Sequence, residues 1–391
     1  MLRWGPLAAA ALVCVLGARH LQQDVSPQQA GLWVVGLLLG ITLYQSSFGF
    51  THAWRVFVAD RQSAGLRVQM LMLMLGVLLF FPALSAGELA GTPVQGLRAP
   101  LGVSLVVGAF LFGLGMQLGG GCASGTLYTV GGGNTRMMVT LLAFMTGAVA
   151  ATWHLDWWLA LPGMRPVVLV QQWGLTPALI AFLAVFALIF WATGAAERRR
   201  HGQVEPVLRG TRPSLALLRG RWPLVWGAAL LVLLNFATLW LSGRPWGVTS
   251  AMALWGAKAL TALGVDLDSV PYWEERFEQL EAPLAEDVTS VMNLAIMLGA
   301  FAAASMAGKY SWNWRIPLRS LLAAVLGGLL MGYGSRLSFG CNIGAYFSGM
   351  LSSSLHAWIW LPVAFAGSAI GVSLRPLFGL AVEKTPPASS C

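Results

Sequence analysis

The chain has 391 residues, of which 57% are apolar and 10% are charged, with a mean hydropathy of +0.69 and a net charge of +9. Soluble domains carry roughly 25% charged residues, so this chain cannot cover its surface with solvated charge. These figures exclude soluble, disordered, collagen-like and coiled-coil proteins, and they favour a protein embedded in a lipid bilayer.

About ten apolar runs are long enough to cross a membrane, since roughly 20 apolar residues in a helix span a hydrocarbon core of about 30 Å. In chain order they lie near residues 5–20, 29–45, 66–84, 99–118, 135–154, 176–196, 222–242, 288–307, 319–337 and 356–376. The sequence therefore predicts an all-α polytopic membrane protein with about ten transmembrane helices. We expect the first run to be an uncleaved helix.

The charged residues lie mostly between the apolar runs and indicate an orientation. Residues 197–221 contain seven arginines and two acids, whereas residues 263–287 contain eight acids and one arginine. Short loops rich in Lys and Arg stay in the cytoplasm, so the first stretch is predicted to be cytoplasmic. With ten spans both termini are then cytoplasmic. This role in topology accounts for the basic charge without a nucleic acid as partner.

The two halves of the chain resemble each other at a fixed offset. At an offset of 219, Gly108, Leu111, Gly113, Gly115, Leu118, Gly121, Cys122 and Gly125 fall on Gly327, Leu330, Gly332, Gly334, Leu337, Gly340, Cys341 and Gly344. A weaker match at an offset of 198 sets Gly49, Thr51 and Ala53 on Gly247, Thr249 and Ala251. Since one cysteine segment follows an outside loop and the other an inside loop, we predict inverted repeats, the architecture of secondary transporters and channels.

These features predict five parts of the chain. They are an N-terminal hydrophobic helix (1–28), a first inverted repeat (29–196), a basic cytoplasmic linker (197–221), a second inverted repeat (222–380) and a tail (381–391). Each repeat is predicted to contain one re-entrant segment in which glycines break the helix.

The glycine breaks at residues 118–126 and 338–344 each contain a cysteine. N–H groups freed from a helix inside a membrane need a partner, and where the helix restarts they favour an anion. Two thiols at symmetric positions are therefore predicted to donate hydrogen bonds to a permeant. The predicted substrate-binding residues are Cys122, Cys341, Gly121, Gly125, Gly340, Gly344, Gly49, Gly247 and Asn342.

Sequence signatures of other chemistries are missing. The chain has no C-x-x-C pair, its five histidines are scattered, and it has no G-x-x-x-x-G-K-S/T loop for nucleotide phosphates. We therefore expect no catalytic residue, no metal ion and no cofactor, and a transporter instead of an enzyme.

The segments 121–128 (Gly-Cys-Ala-Ser-Gly-Thr-Leu-Tyr) and 340–349 (Gly-Cys-Asn-Ile-Gly-Ala-Tyr-Phe-Ser-Gly) resemble the YeeE/YedE family of membrane proteins, which is associated with sulfur transport. The resemblance implies a multi-pass protein of the bacterial inner membrane, shaped like an hourglass, that takes up thiosulfate. It implies that the thiols of Cys122 and Cys341 hydrogen-bond the anion, and that a small cytoplasmic sulfur-carrier protein is a partner.

One position departs from the family pattern. Gly49 stands where the family commonly has a third cysteine, after Phe48. With two thiols in place of three, the substrate could also be sulfite or a selenium compound. A membrane sulfurtransferase that uses a cysteine persulfide is a further alternative.

Overall fold

The computed structural model describes residues 4–208, 222–310 and 312–382, and nearly all of its regular structure is helical. The main helices are α1 (Trp4–His20), α2 (Pro27–Ser46), α3 (Phe50–Asp60), α4 (Ala64–Ala86), α5 (Val103–Gly119), α6 (Ala123–Gly131), α7 (Thr135–Thr152), α8 (Leu175–His201), α9 (Leu224–Ser242), α10 (Thr249–Ala262), α11 (Val288–Met306), α12 (Leu318–Leu337) and α13 (Leu355–Leu374).

Short elements fill the connections. A wide helical turn, Asn342–Ser348, and one short helix, Gly349–Leu351, join α12 to α13. Other single turns are Leu21–Val25, Leu155–Ala160, Leu169–Trp173, Pro271–Glu274, Phe277–Glu281 and Arg375–Phe378. Strand Glu88–Leu89 pairs antiparallel with Thr92–Pro93, and Leu101–Gly102 pairs antiparallel with Gly163–Met164.

Nine helical stretches of the described residues are long and apolar enough to cross a membrane. They are Pro27–Asp60, Ala64–Ala86, Val103–Gly131, Thr135–Thr152, Leu175–His201, Leu224–Ser242, Val288–Met306, Leu318–Leu337 and Leu355–Phe378. The prediction of an all-α polytopic membrane protein is confirmed. The one remaining predicted run, 5–20, forms the 17-residue helix α1, which is not one of these nine stretches.

Parts of four predicted regions lie outside the described residues. These are residues 1–3 of the N-terminal segment, 209–221 of the predicted linker, 311 of the second repeat and 383–391 of the predicted tail. Within the described part, α8 continues to His201, five residues past the predicted end of the first repeat. Its last turn contains Arg198, Arg199 and Arg200, whose positive charge suits the negative end of the helix dipole.

Glycines let α5 and α12 approach each other at the centre of the molecule. A Cβ added to Gly108 would lie 2.7 Å from the Gly334 carbonyl oxygen, and one added to Gly115 would lie 2.8 Å from that of Gly327. The offset of 219 turns Gly108 into Gly327 and Gly115 into Gly334, so it exchanges these two contacts. A two-fold relation between the halves would produce this exchange.

The outer helices continue the same pattern. A Cβ on Gly113 of α5 would lie 1.9 Å from the Ala364 carbonyl oxygen of α13, and one on Gly332 of α12 would lie 2.1 Å from that of Phe144 in α7. Helix α2 of the first half packs against α11 of the second. The corresponding pair with the halves exchanged, α9 and α4, is also in contact. These contacts support the repeat prediction, while the inverted orientation of the halves stays a prediction.

The glycine contacts predict a packing defect that is independent of transport. Gly113→Ala would push a methyl group into the backbone of α13, and overpacking of this kind costs about 1–3 kcal/mol. We expect the purified variant to unfold at lower temperature in a fluorescence melt. Gly5→Ala is the matched control, since a Cβ there meets no atom within 4 Å. Equal melting of the two variants would contradict the close approach of α5 and α13.

Candidate functional site

The first break turns the chain between α5 and α6 around Cys122. Gly120 has φ +94°, a conformation that favours glycine, and Cys122 takes the N-cap position of α6 in an extended conformation. Both the backbone N–H and the side-chain hydroxyl of Thr126 donate to the Cys122 carbonyl oxygen, at 2.7 and 2.9 Å. The thiol is 1% exposed, with its sulfur 3.4 Å from the Ser124 hydroxyl oxygen.

The second break turns the chain after α12 around Cys341. Gly340 has φ +149°, and Phe339 also has positive φ, at +60°. The wide turn Asn342–Ser348 then begins, and the Ile343 N–H donates to the Cys341 sulfur at 3.4 Å. Cys341 is fully buried. Each break thus places one buried thiol at the start of a new helical segment, as the sequence predicts.

The two breaks converge inside the protein. Helix α6, which Cys122 caps, contacts the wide turn Asn342–Ser348, which Cys341 caps. Thr51, at the start of α3, accepts through its carbonyl oxygen from the Gln117 side chain of α5 at 3.1 Å. The two cysteine-containing breaks therefore lie together, next to the start of α3.

Open space lies beside each thiol. Gly125 and Gly344 each follow their cysteine by three residues and are buried. A Cβ added to Gly344 would meet no atom within 4 Å, and one added to Gly125 would meet only the Cys122 sulfur, at 3.4 Å. The packing glycines of α5 and α12 leave no such room. Gly125 and Gly344 thus keep a small internal space free next to donors.

Gly121 and Gly340 instead shape the backbone of the breaks. A Cβ on Gly340 would lie 2.6 Å from the Ala345 nitrogen, and one on Gly121 would lie 3.0 Å from the Met137 side chain. These two predicted binding residues are packed and have no open space at their Cβ positions. They determine how the chain turns around the thiols.

Several buried polar atoms at the site have no hydrogen-bond partner within the described residues. They are both side-chain amide atoms of Asn342, the hydroxyl of Tyr346 and that of Thr51. A buried polar group without a partner costs about 1–3 kcal/mol, so each of these atoms is available to a partner that the described residues do not supply. Asn342 is predicted from the sequence, whereas Thr51 and Tyr346 were not assigned a role.

An aromatic cluster fixes the position of Tyr346. Its ring stacks on Trp360 at 6.2 Å between centroids with an interplanar angle of 7°, and Phe50 and Trp54 meet it edge-on at 5.9 and 6.1 Å. Trp360 donates through Nε1 to the Ser338 hydroxyl at 3.1 Å, within the second break. Held in this way, the tyrosine hydroxyl can serve as a preorganised donor.

Gly49 and Gly247 line two separate cavities. Gly49 borders a cavity of about 180 Å³ next to residues 205–207 that follow α8, and a Cβ on it would lie 3.8 Å from the Tyr128 hydroxyl. Gly247 borders a cavity of about 920 Å³ beneath the acidic segment 263–287. Among the described residues that line the two cavities, neither cysteine is present. The two thiols are buried and border neither cavity.

Two arginines cap the carboxyl end of α5, next to the first break. Arg136 donates to the carbonyl oxygens of Leu118 and Gly119, each at 2.7 Å, and Arg375 donates to that of Gln117 at 2.6 Å. The end of a helix exposes unpaired carbonyl groups with partial negative charge. The guanidinium groups neutralise this charge, which would otherwise repel an anion near Cys122. No sequence motif marks this role.

Removing the Arg136 side chain should destabilise the first break. Arg136→Ala would leave two buried carbonyl groups without their charged donor, and hydrogen bonds to charged groups contribute about 1.5–3 kcal/mol each. We expect the melting temperature of the purified variant to fall by several degrees. Arg319→Ala, at an exposed position of α12, is the matched control. An unchanged melting temperature for Arg136→Ala would show that the cap is dispensable.

Comparisons with known proteins identify relatives of this chain. A family model described as sulphur transport matches residues 45–370. The thiosulfate transporter TsuA of Spirochaeta thermophila is 28% identical over 344 residues, which cover 83% of this chain and 92% of that protein. TsuA of Escherichia coli is 27% identical and covers 85% and 90%, and the probable transporter YedE of Escherichia coli is 31% identical over 37% and 36%.

Proposed function

Since the chain belongs to the sulphur transport family, we propose that it is a membrane transporter that takes up thiosulfate between its two cysteine-containing breaks. The observation that carries the proposal is the open space at Gly125 and Gly344, directly beside the buried thiols. Two relatives named thiosulfate transporter, each aligned over more than four fifths of this chain, support the choice of anion.

The chemistry of the site suits a small sulfur dianion. Thiosulfate offers acceptor oxygens and one terminal sulfur, while the site offers S–H, O–H and amide N–H donors from Cys122, Cys341, Tyr346 and Asn342. These donors are neutral. Neutral donors can replace part of the hydration shell of the anion. They attract it less strongly than a buried cation would, so the permeating anion can leave the site again.

The two cavities supply the approaches from either side. The larger one, bordered by Gly247, also contains Arg98, Arg244 and Arg276 together with three acids, Glu278, Glu286 and Asp287, so its formal charge is balanced. The smaller one, bordered by Gly49, lies at the predicted cytoplasmic end. Because both cysteines are closed off from each cavity, transport requires the breaks to open, and their glycines provide the freedom to do so.

Direction and partners follow from the same proposal. Uptake of a dianion against a negative-inside potential costs about 2.3 kcal/mol per charge per 100 mV, so it must be coupled to an ion or to consumption of the product. A small cytoplasmic sulfur-carrier protein is the proposed acceptor. We place the protein in the bacterial inner membrane with both termini in the cytoplasm, which requires α1 to be a tenth span beside the nine and is in keeping with the arginines of residues 198–200.

Growth on a defined sulfur source tests the proposed function. A bacterial host that lacks its sulfate and thiosulfate permeases should grow on thiosulfate only when this chain is expressed. Sulfite added as a competitor to labelled thiosulfate should leave uptake largely unchanged if thiosulfate is the substrate. Failure to restore growth by a chain that is present in the membrane would contradict the proposal.

A further inference from the structure

A separate cavity of about 470 Å³ lies between the start of α7 and the loop that precedes α12. Three cations line it, Arg136, Lys309 and Arg315, and no Asp or Glu is present among the described residues of its lining. The cavity that borders Gly247 has balanced charge instead. The described lining of this cavity therefore carries uncompensated positive charge, unlike that of the cavity that borders Gly247.

The cavity at the corresponding place in the other half differs in charge. It has a volume of about 350 Å³, lies between residues 352–353 and the loop that precedes α5, and contains one cation, Arg98. The first cavity lies at the end of the molecule that the positive-inside rule assigns to the cytoplasm, because Lys309 and Arg315 lie in the loop before α12 and Arg319 lies in the first turn of α12. An anion therefore meets a stronger positive electrostatic potential in the first cavity than in the second.

Two of the three cations are free to bind a ligand. Arg136 is engaged with the carbonyl groups of α5, whereas the structure assigns no ion pair within its described residues to Lys309 or Arg315. Both side chains are exposed. A concave surface of one sign of charge raises the local concentration of counter-ions, and salt screens this effect when the charges are exposed.

The cavity reaches the thiol site through one side chain. Tyr128 and Thr129 of α6 form part of its lining, and Cys122 is the N-cap residue of the same helix, six residues before Tyr128. The Tyr128 hydroxyl also lies 3.8 Å from the Cβ position of Gly49, so an anion in the cavity that borders Gly49 meets Tyr128 and then the cations. The geometry connects the closed site with a basic chamber.

We propose that this chamber, formed by Arg136, Lys309 and Arg315 around the start of α7, is a second anion-binding site that receives the sulfur dianion on its way into the cytoplasm. The inference rests on the proposed function and extends it to the release step. A negative-inside potential raises the energy of an anion at the inner end of the path, and positive charge at that end lowers it. Because Lys309 and Arg315 are exposed, binding there is weak and falls with ionic strength.

Calorimetric titration with thiosulfate can isolate this site when the thiols are absent. The full chain with Cys122→Ala and Cys341→Ala should still bind thiosulfate weakly in low salt. Adding Lys309→Ala and Arg315→Ala should lower that affinity at least tenfold. The matched control adds Arg199→Ala and Arg319→Ala, which remove two exposed arginines outside the chamber and should leave the affinity unchanged.

Uptake by the otherwise native chain separates this inference from the proposed function. Lys309→Ala with Arg315→Ala should slow thiosulfate uptake several-fold relative to the Arg199→Ala, Arg319→Ala control, with the difference shrinking in high salt. Equal uptake by the two variants, or no thiosulfate binding by the variant without thiols, would overturn the second site while wild-type uptake still stands. Absence of uptake by the wild-type chain would instead overturn the proposed function.

Discussion

Replacing both Cys122 and Cys341 by alanine should abolish thiosulfate uptake while the protein still folds. Each thiol is buried at a break and can donate to the anion, and a hydrogen bond to a charged group contributes about 1.5–3 kcal/mol. Loss of both donors therefore corresponds to a fall of roughly 10²- to 10⁴-fold. Uptake of labelled thiosulfate into cells that express equal amounts of each variant measures this loss.

Single replacements and a distant cysteine serve as controls for the double variant. Cys122→Ser and Cys341→Ser keep a donor of similar size, so each should retain more uptake than the matching alanine variant. Cys14→Ala removes a half-buried thiol of α1 and should transport like the wild type. Normal uptake by a well-expressed Cys122→Ala, Cys341→Ala protein would remove the thiols from the mechanism.

Filling the space beside the second thiol should block transport in proportion to side-chain volume. A Cβ at Gly344 meets no atom within 4 Å, so Gly344→Ala should fold normally and lower uptake, and Gly344→Val should lower it further. The same series at Gly125 is tighter, because the Cys122 sulfur lies 3.4 Å from the added Cβ. Uptake and the melting temperature of each purified variant separate a blocked path from an unfolded protein.

Two other glycines provide the contrast. Gly327→Ala would place a Cβ 2.1 Å from the Gly119 nitrogen, and Gly340→Ala would force an L-residue to φ +149°. Both should lower the melting temperature because something in the backbone must shift. A Gly344→Val variant that melts like these two would indicate that Gly344 is a packing residue, against the assignment of open space beside Cys341.

The sequence predicts the helical class and the location of the thiols because both depend on local patterns. Apolar runs are read from composition, and the cysteines are marked by the offset of 219 between halves. The glycines share that pattern, yet the structure separates Gly113, packed against Ala364, from Gly344, which has space around it. What surrounds a glycine depends on a distant helix, which no local pattern describes.

Other parts of the site depend on contacts between distant segments. Thr51 belongs to the weaker repeat match, but the hydrogen bond that its carbonyl oxygen accepts from Gln117 depends on how α3 packs against α5. Arg375 caps a carbonyl group at Gln117, 258 residues earlier in the chain. Arg136 looks from the sequence like one more cation near a membrane surface. Such roles follow from tertiary packing and could not be assigned beforehand.

Uptake of thiosulfate labelled on both sulfur atoms into proteoliposomes tests the central claim most directly. Transport of the intact anion between the breaks predicts that both labels accumulate inside in equal amounts, and that Cys122→Ala with Cys341→Ala abolishes both. A sulfurtransferase would instead break the S–S bond, keep the terminal sulfur as a cysteine persulfide on the protein and leave sulfite outside. Separation of the two labels in this way would contradict the account.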